Sequence, residues 1–280
     1  MRELDVGIIA GAVARLCVQA NRALPPDVVA ALGRARAGES WPLAAGVLDE
    51  ICQNVAAAEE NSLPPCQDTG MACVFLEVGQ EVHLCGGGLA EAVNRGVAEG
   101  YETGLLRKSV VADPLRRVNT KDNTPALLSV EIVPGDAVKV TVVPKGFGSE
   151  NMSRLAMLKP ADGRPAVEDF VVETVRLAGP NPCPPVVVGV GIGGSFDKAA
   201  ALAKKALLRP LDVPNPDPWY AEMEAGLLAR INELGTGPAG YGGRATALGL
   251  AIETFPTHIA GLPVAVNISC HVTRRASTVL

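Results

Sequence analysis

Three cysteines of this 280-residue chain stand in surroundings that suit ligation of a metal better than packing. They are Cys66 in Pro64-Pro65-Cys66-Gln67-Asp68-Thr69-Gly70, Cys183 in Asn181-Pro182-Cys183-Pro184-Pro185, and Cys270 in Asn267-Ile268-Ser269-Cys270-His271. Proline and glycine on either side fix a turn and clear bulk, so that a thiolate can approach an inorganic core closely. A cluster kept for electron transfer normally takes four thiolates. Three would leave one iron open to bind water or substrate as a Lewis acid, which is chemistry for adding or removing water. Cys17 and Cys52 fall in helical patterns and Cys73 in a strand, where a small buried hydrophobe is the expected role. Cys85, ahead of Gly86-Gly87-Gly88, fits either reading. No CxxC pair reinforces the set, so spacing alone leaves ligation and coincidence both standing.

Two glycine-rich segments offer further chemistry. Gly189-Val190-Gly191-Ile192-Gly193-Gly194 matches G-x-G-x-x-G between a strand and a helix, with Asp212 about twenty positions on. Asp212 follows Pro210 in a loop, however, and nothing upstream reads as a βαβ start. A tight strand-to-helix turn is preferred over a nicotinamide site. Lys145-Gly146-Phe147-Gly148-Ser149 leads into a helix, where backbone N–H groups can cradle a carboxylate or phosphate. A plain exit from a strand explains that loop equally well. The chain has three histidines, His83, His258 and His271, and a histidine-based zinc site is poorly supported.

The elements that must position these residues can be read from periodicity. Residues 5–60 are predicted helical in three pieces, broken at Pro25-Pro26 and at Gly38-Glu39-Ser40. Strands are predicted over 72–78, 127–133, 137–143, 186–190, 248–253 and 263–269, and helices over 89–103, 167–177, 195–208 and 220–234. Pro134-Gly135-Asp136 predicts a hairpin between the strands at 127–133 and 137–143. The stretch 109–125 is polar and irregular, as binding loops often are. The expected fold class is α/β (α+β), a helical N-terminal layer packed on an α/β body with mixed sheets. One domain over 1–280 is expected, with the layer at 1–61 and the cluster-binding body at 62–280.

Composition narrows the partners. The net charge of −5 and aromatic content of 4% argue against nucleic acid. Hydrophobic residues make up 48%, yet no apolar run reaches the roughly 18–20 residues that span a bilayer. The acidic start Met1-Arg2-Glu3-Leu4-Asp5 does not read as a cleavable signal. Seven dispersed cysteines are too few for a disulfide scaffold, so a reduced, cytoplasmic protein is expected.

Taken together, the segments resemble the α subunit, or N-terminal catalytic half, of the class I iron–sulfur fumarate hydratase and L-tartrate dehydratase family. The resemblance is carried by Pro65-Cys66-Gln67-Asp68-Thr69-Gly70, Asn119-Thr120-Lys121-Asp122-Asn123-Thr124-Pro125, the loop Lys145 to Asn151, and Asn181 to Pro185. It continues through Gly191-Ile192-Gly193-Gly194 and the run from Pro256 to Cys270, and covers essentially residues 5–280. It implies a [4Fe-4S] cluster on Cys66, Cys183 and Cys270, with Cys85 outside the set. It implies substrate contacts at Gln67, Asp68, Arg107, Gly146, Gly148 and His258, with Asp68, His258 and Arg107 catalytic. Phe147 departs from the family, which usually has glycine there. The resemblance further implies a small dicarboxylate substrate, a hydro-lyase of the tricarboxylic acid cycle type, and a separate β-type subunit in a homo- or hetero-oligomer. Hydration of fumarate to (S)-malate is the expected reaction. L-tartrate dehydration and a non-enzymatic iron–sulfur scaffold or redox sensor are the alternatives.

Overall fold

Asp5 starts the first helix by accepting the Gly7 N–H on its side chain at 2.7 Å, a standard N-cap. The computed structural model describes residues 1–280. In chain order the elements are β1 (Arg2–Asp5), α1 (Val6–Arg22), α2 (Pro26–Gly38), α3 (Pro42–Glu60), β2 (Met71–Gly79), β3 (Val82–Cys85) and α4 (Leu89–Thr103). They continue with β4 (Leu127–Val133), β5 (Val138–Lys145), the single turn α5 (Phe147–Glu150), β6 (Arg154–Leu158), α6 (Gly163–Ala178), β7 (Val186–Gly193) and α7 (Phe196–Ala206). The last are α8 (Pro218–Glu233), β8 (Ala247–Phe255), β9 (Leu262–Ser269) and β10 (Ala276–Val279). The fold is α/β with mixed sheets, as expected. No helix is long and apolar enough to cross a membrane.

The chain forms two compact units. Unit 1 comprises Met1–Pro25, Asn54–Phe147 and Arg274–Leu280, and unit 2 comprises Pro26–Gln53 and Gly148–Thr273. The N-terminal helices are thus shared between them, for a reason visible in their side chains. α1 turns Ile9, Val13 and Leu16 into the core of unit 1. α2 is tied into unit 2 by Asp27, whose carboxylate accepts the Leu211 N–H at 2.8 Å, and the Glu39 carboxylate just beyond it accepts the Arg244 N–H at 2.6 Å.

Unit 1 has a four-stranded sheet in the order β10-β5-β2-β4, and a separate parallel pair, β1-β3. Alternation puts Val74, Leu76 and Val78 of β2 and Val138, Val140 and Val142 of β5 on one face. There they meet Val93, Val97 and Tyr101 of α4 and the apolar stripe of α1. The expected hairpin does not form. β2 lies between β4 and β5, parallel to the first and antiparallel to the second. The turn at 134–137 bridges over the end of β2, where the Gly79 and Glu81 N–H groups donate to its Ala137 and Gly135 carbonyls and the Gln80 N–H to that of Val133 at the end of β4. Turn chemistry marked the reversal correctly, but a more apolar strand took the central place.

Unit 2 has the order β6-β9-β7-β8. Val186, Val188 and Val190 of β7 join Val264, Val266 and Ile268 of β9 under α6 and α8. The other face takes α7 at very close range. A Cβ on Gly189 or Gly191 would stand 2.2 and 2.1 Å from the Ala203 and Ala199 carbonyl oxygens. These glycines are therefore demanded by helix packing, which is what the glycine pattern of this segment encodes in place of a dinucleotide site.

Candidate functional site

The loop carrying Cys66 belongs to unit 1 and is gripped from within. Its backbone turns sharply at Asp68, whose carboxylate accepts the Gly70 N–H at 3.0 Å on one oxygen and the Phe147 N–H at 3.0 Å on the other. The Asp68 N–H points to the Cys66 sulfur at 3.4 Å, the kind of donor that suits a thiolate. Gln67 is exposed, and its Oε1 lies 3.6 Å from the same sulfur. A Cβ on Gly146 would come within 3.2 Å of Asp68 Oδ2, so glycine keeps the space beside that carboxylate open. Phe147 is half-exposed and donates through its backbone, so its departure from glycine leaves the contact to Asp68 intact.

Below this loop lies a set of buried polar side chains. The Tyr101 hydroxyl is 2.7 Å from the Thr69 carbonyl oxygen and 3.0 Å from that of Gly70. Burial pushes its phenol well above the ordinary range, with the Arg274 charge opposing, so the O–H stays available as a donor. Asn123 donates to the Gly70 carbonyl at 3.1 Å and accepts the Ser109 N–H at 2.7 Å. The Thr69 hydroxyl donates to the Arg107 carbonyl at 3.1 Å, which ties the Arg107 backbone to the same loop. The Arg107 side chain is exposed. Arg274 donates to the Asp68 carbonyl at 2.7 Å and to Asn21 Oδ1 at 2.9 Å. Unit 1 therefore gathers Cys66, Gln67, Asp68, Gly146 and the Arg107 backbone.

Unit 2 brings Cys183 and Cys270 to one end of its sheet. Cys183 precedes β7 and Cys270 follows β9, which run antiparallel with Val187 opposite Ser269. The Cys183 carbonyl accepts the His271 N–H at 3.3 Å and faces its Nδ1 at 2.8 Å. A carbonyl can only accept, so this contact assigns the ring hydrogen to Nδ1. Burial holds the His271 imidazole below its usual value, the bond to Cys183 opposing in part. Cys183 is exposed, with φ of 54°, and Cys270 is half-buried. Gly148 begins a segment braced by Glu150, whose carboxylate accepts from Lys204 at 2.5 Å and from Asn267 at 2.8 Å. That strut joins the Gly148-to-Asn151 segment to the Asn267-to-Cys270 segment. His258 is not brought to the two cysteines. It is exposed in the loop after β8, at the opposite end of β7, roughly 25 Å away at about 3.3 Å per strand residue.

Cys17 and Cys73 are buried in the core of unit 1, and burial raises the Cys17 thiol to about 12. Neither can serve as a ready ligand. No cysteine is in a disulfide. No group of three His, Cys, Asp or Glu side chains is arranged to hold a metal ion. The donor chemistry still fits an iron–sulfur cluster. Cys66, Cys183 and Cys270 are all at least partly accessible thiols on loops, and the Cys66 sulfur already accepts a backbone N–H.

Sequence reading missed Tyr101, Asn21, Arg274 and the Glu150–Asn267 strut. None carries a local signal, because each acts on a segment distant in the chain. Asn123 was visible inside the Asn119-to-Pro125 motif, without its role.

A chain of this fold, with an Asp beside a loop cysteine and two further cysteines at a sheet end, belongs to the fumarate hydratase (Fumerase) family, whose model matches residues 10–279. Its relatives include a candidate L(+)-tartrate dehydratase subunit alpha of Methanocaldococcus jannaschii, 42% identical over 96% of both chains. The L(+)-tartrate dehydratase subunit alpha of Escherichia coli strain UTI89 is 34% identical over 95% of this chain and 88% of its own. That of Escherichia coli strain K12 is 33% identical over the same shares.

Proposed function

We propose that this chain is the α subunit of an iron–sulfur hydro-lyase that interconverts fumarate and (S)-malate. The observation that carries the reading is the loop 66–70, where a ligand-type cysteine and a carboxylate held by two N–H groups adjoin an open glycine. A [4Fe-4S] cluster, held by Cys66, Cys183 and Cys270, would supply a Lewis acid that polarises the substrate carboxylate and hydroxyl. Arg107 pairs with a substrate carboxylate, for which a guanidinium fork is suited. Gln67 orients a second oxygen, and the N–H groups of the Gly146–Gly148 loop line the site. Asp68 takes the proton from the carbon beside the carboxylate and returns it in the hydration direction. Its two hydrogen bonds aim the carboxylate. His258, exposed in the loop after β8, orients a further substrate oxygen in this reading.

The two units act as one catalytic domain in this reading, and a β-type subunit completes the active site, as the names of the α-subunit relatives suggest. The setting is cytoplasmic, in the tricarboxylic acid cycle. A second reading, dehydration of L-tartrate to oxaloacetate, is favoured by those same names. A site built to hydrogen-bond the extra hydroxyl of tartrate would reject a substrate that lacks it. The test is anaerobic reconstitution with the β subunit, followed by kcat/KM for malate and for L-tartrate. A tartrate preference beyond about tenfold, about 1.4 kcal/mol, selects the second reading. Full turnover by the α chain alone removes the need for a partner, and turnover of neither substrate removes both readings.

A further inference from the structure

Arg274 is 2% exposed, yet its guanidinium has no carboxylate partner. Nη1 donates to Asn21 Oδ1 and Nη2 to the Asp68 carbonyl oxygen, while Nε is buried with no hydrogen-bond partner. A buried arginine is ordinarily neutralised by an acid, because an unpaired charge in a protein interior is costly. This one spends its fork on two neutral oxygens, one of them on the peptide between Asp68 and Thr69. That choice makes sense if the position of the peptide matters. Fixing the Asp68 carbonyl fixes the plane of the peptide after it, and so, through Asp68 ψ, the direction in which the Cα–Cβ bond carries the carboxylate toward the Phe147 N–H. The same guanidinium reaches the open glycine, since a Cβ on Gly146 would lie 4.0 Å from Nη2 and 3.2 Å from Asp68 Oδ2. Asn21, itself fully buried, is anchored by donating to the Cys17 carbonyl at 3.0 Å, so the clamp rests on the body of α1.

We infer that Arg274 is a positioning residue for the reaction: its buried fork sets the peptide after Asp68 and thereby aims the Asp68 carboxylate past Gly146. The inference rests on the proton-transfer role proposed for Asp68, but the geometry it describes is measurable without turnover. Charge and shape are both used. Lysine would keep the charge with a single line of contact, and glutamine would keep a donor without the charge or the fork.

The experiment compares Arg274→Gln and Arg274→Lys in the reconstituted α–β complex. Arg274→Gln should lower kcat about 30-fold with KM for malate within about twofold, since aim is lost and substrate contacts are not. Arg274→Lys should recover part of that loss. Amide hydrogen exchange of the full chain supplies the second readout. Segments 66–70 and 146–148 should exchange about tenfold faster in Arg274→Gln, with β2 unchanged. Exchange and kcat both within about twofold of wild type overturn the inference. So does a rise in KM at unchanged kcat, which would make Arg274 a substrate contact. If Arg274→Gln fails to fold, Asn21→Ala removes the other anchor, and unchanged exchange at 66–70 overturns the inference in the same way. A wild-type complex that turns over neither malate nor tartrate, with exchange accelerated as expected, supports the clamp and removes the proposed function.

Discussion

The two units hold their cysteines by opposite means. In unit 2, Cys183 and Cys270 are set by backbone: prolines around Cys183, adjoining ends of β7 and β9, and a Cys183 carbonyl that meets the His271 N–H and ring. In unit 1, the loop of Cys66 is set by side chains reaching up from a core, Tyr101, Asn123 and Arg274, each aimed at a backbone oxygen. Backbone setting is cheap in sequence and stiff. Side-chain setting costs desolvation of polar groups, but the loop carbonyls are held by donors that can each be adjusted. The side-chain device falls to the loop that carries both the ligand-type cysteine and the proposed proton-transfer carboxylate, where fine aim has most effect.

The most severe way to break this comparison is to replace the cysteines. Cys66→Ser, Cys183→Ser and Cys270→Ser should each lose the cluster and cut turnover of the reconstituted complex by more than about a thousandfold. Anaerobic iron and sulfide analysis reads the first effect, and Cys17→Ser, altered in the core, should keep its iron. A full cluster in any of the three variants would strike that residue from the set. A smaller effect sharpens the contrast. Tyr101→Phe leaves the Thr69 carbonyl without its hydroxyl donor, at a cost of about 1–3 kcal/mol by urea unfolding. A loss under about 0.5 kcal/mol would mean that the buried set does not grip the loop. The smallest effect concerns Phe147. Because it serves Asp68 through its N–H, Phe147→Gly should change kcat by less than about threefold. A larger change would show that the exposed ring is part of the site.

The same contrast decides what could be read from the chain. Helices α1, α4, α6 and α8 and strands β2, β7 and β9 follow from apolar periodicity, because one face of each meets a single core. The short strands β1, β3, β6 and β10 went unread, since four or five residues carry too little pattern to stand out from a loop. The pairing of β2 between β4 and β5 was also illegible, because order in a sheet is settled by distant segments. The cysteine loops were legible, for proline and glycine are local signals. The clamp was not, because Asn21 and Arg274 stand 253 residues apart and each looks unremarkable where it lies. His258 drew attention through its neighbours, but neighbourhood in the chain said nothing of which end of a sheet it would occupy.

Unit 1 contains the start of the chain and also Arg274–Leu280, with β10 paired to β5 and Arg274 beneath the Asp68 loop. On the ribosome the order of completion is therefore inverted. Every residue of unit 2 has been polymerised before unit 1 receives its last strand and its buried arginine. The opening helix and β2 must wait, partly unsatisfied, while the later unit is made. The Cys66 loop can take its final shape only once Arg274 and β10 have been made, after every residue of unit 2.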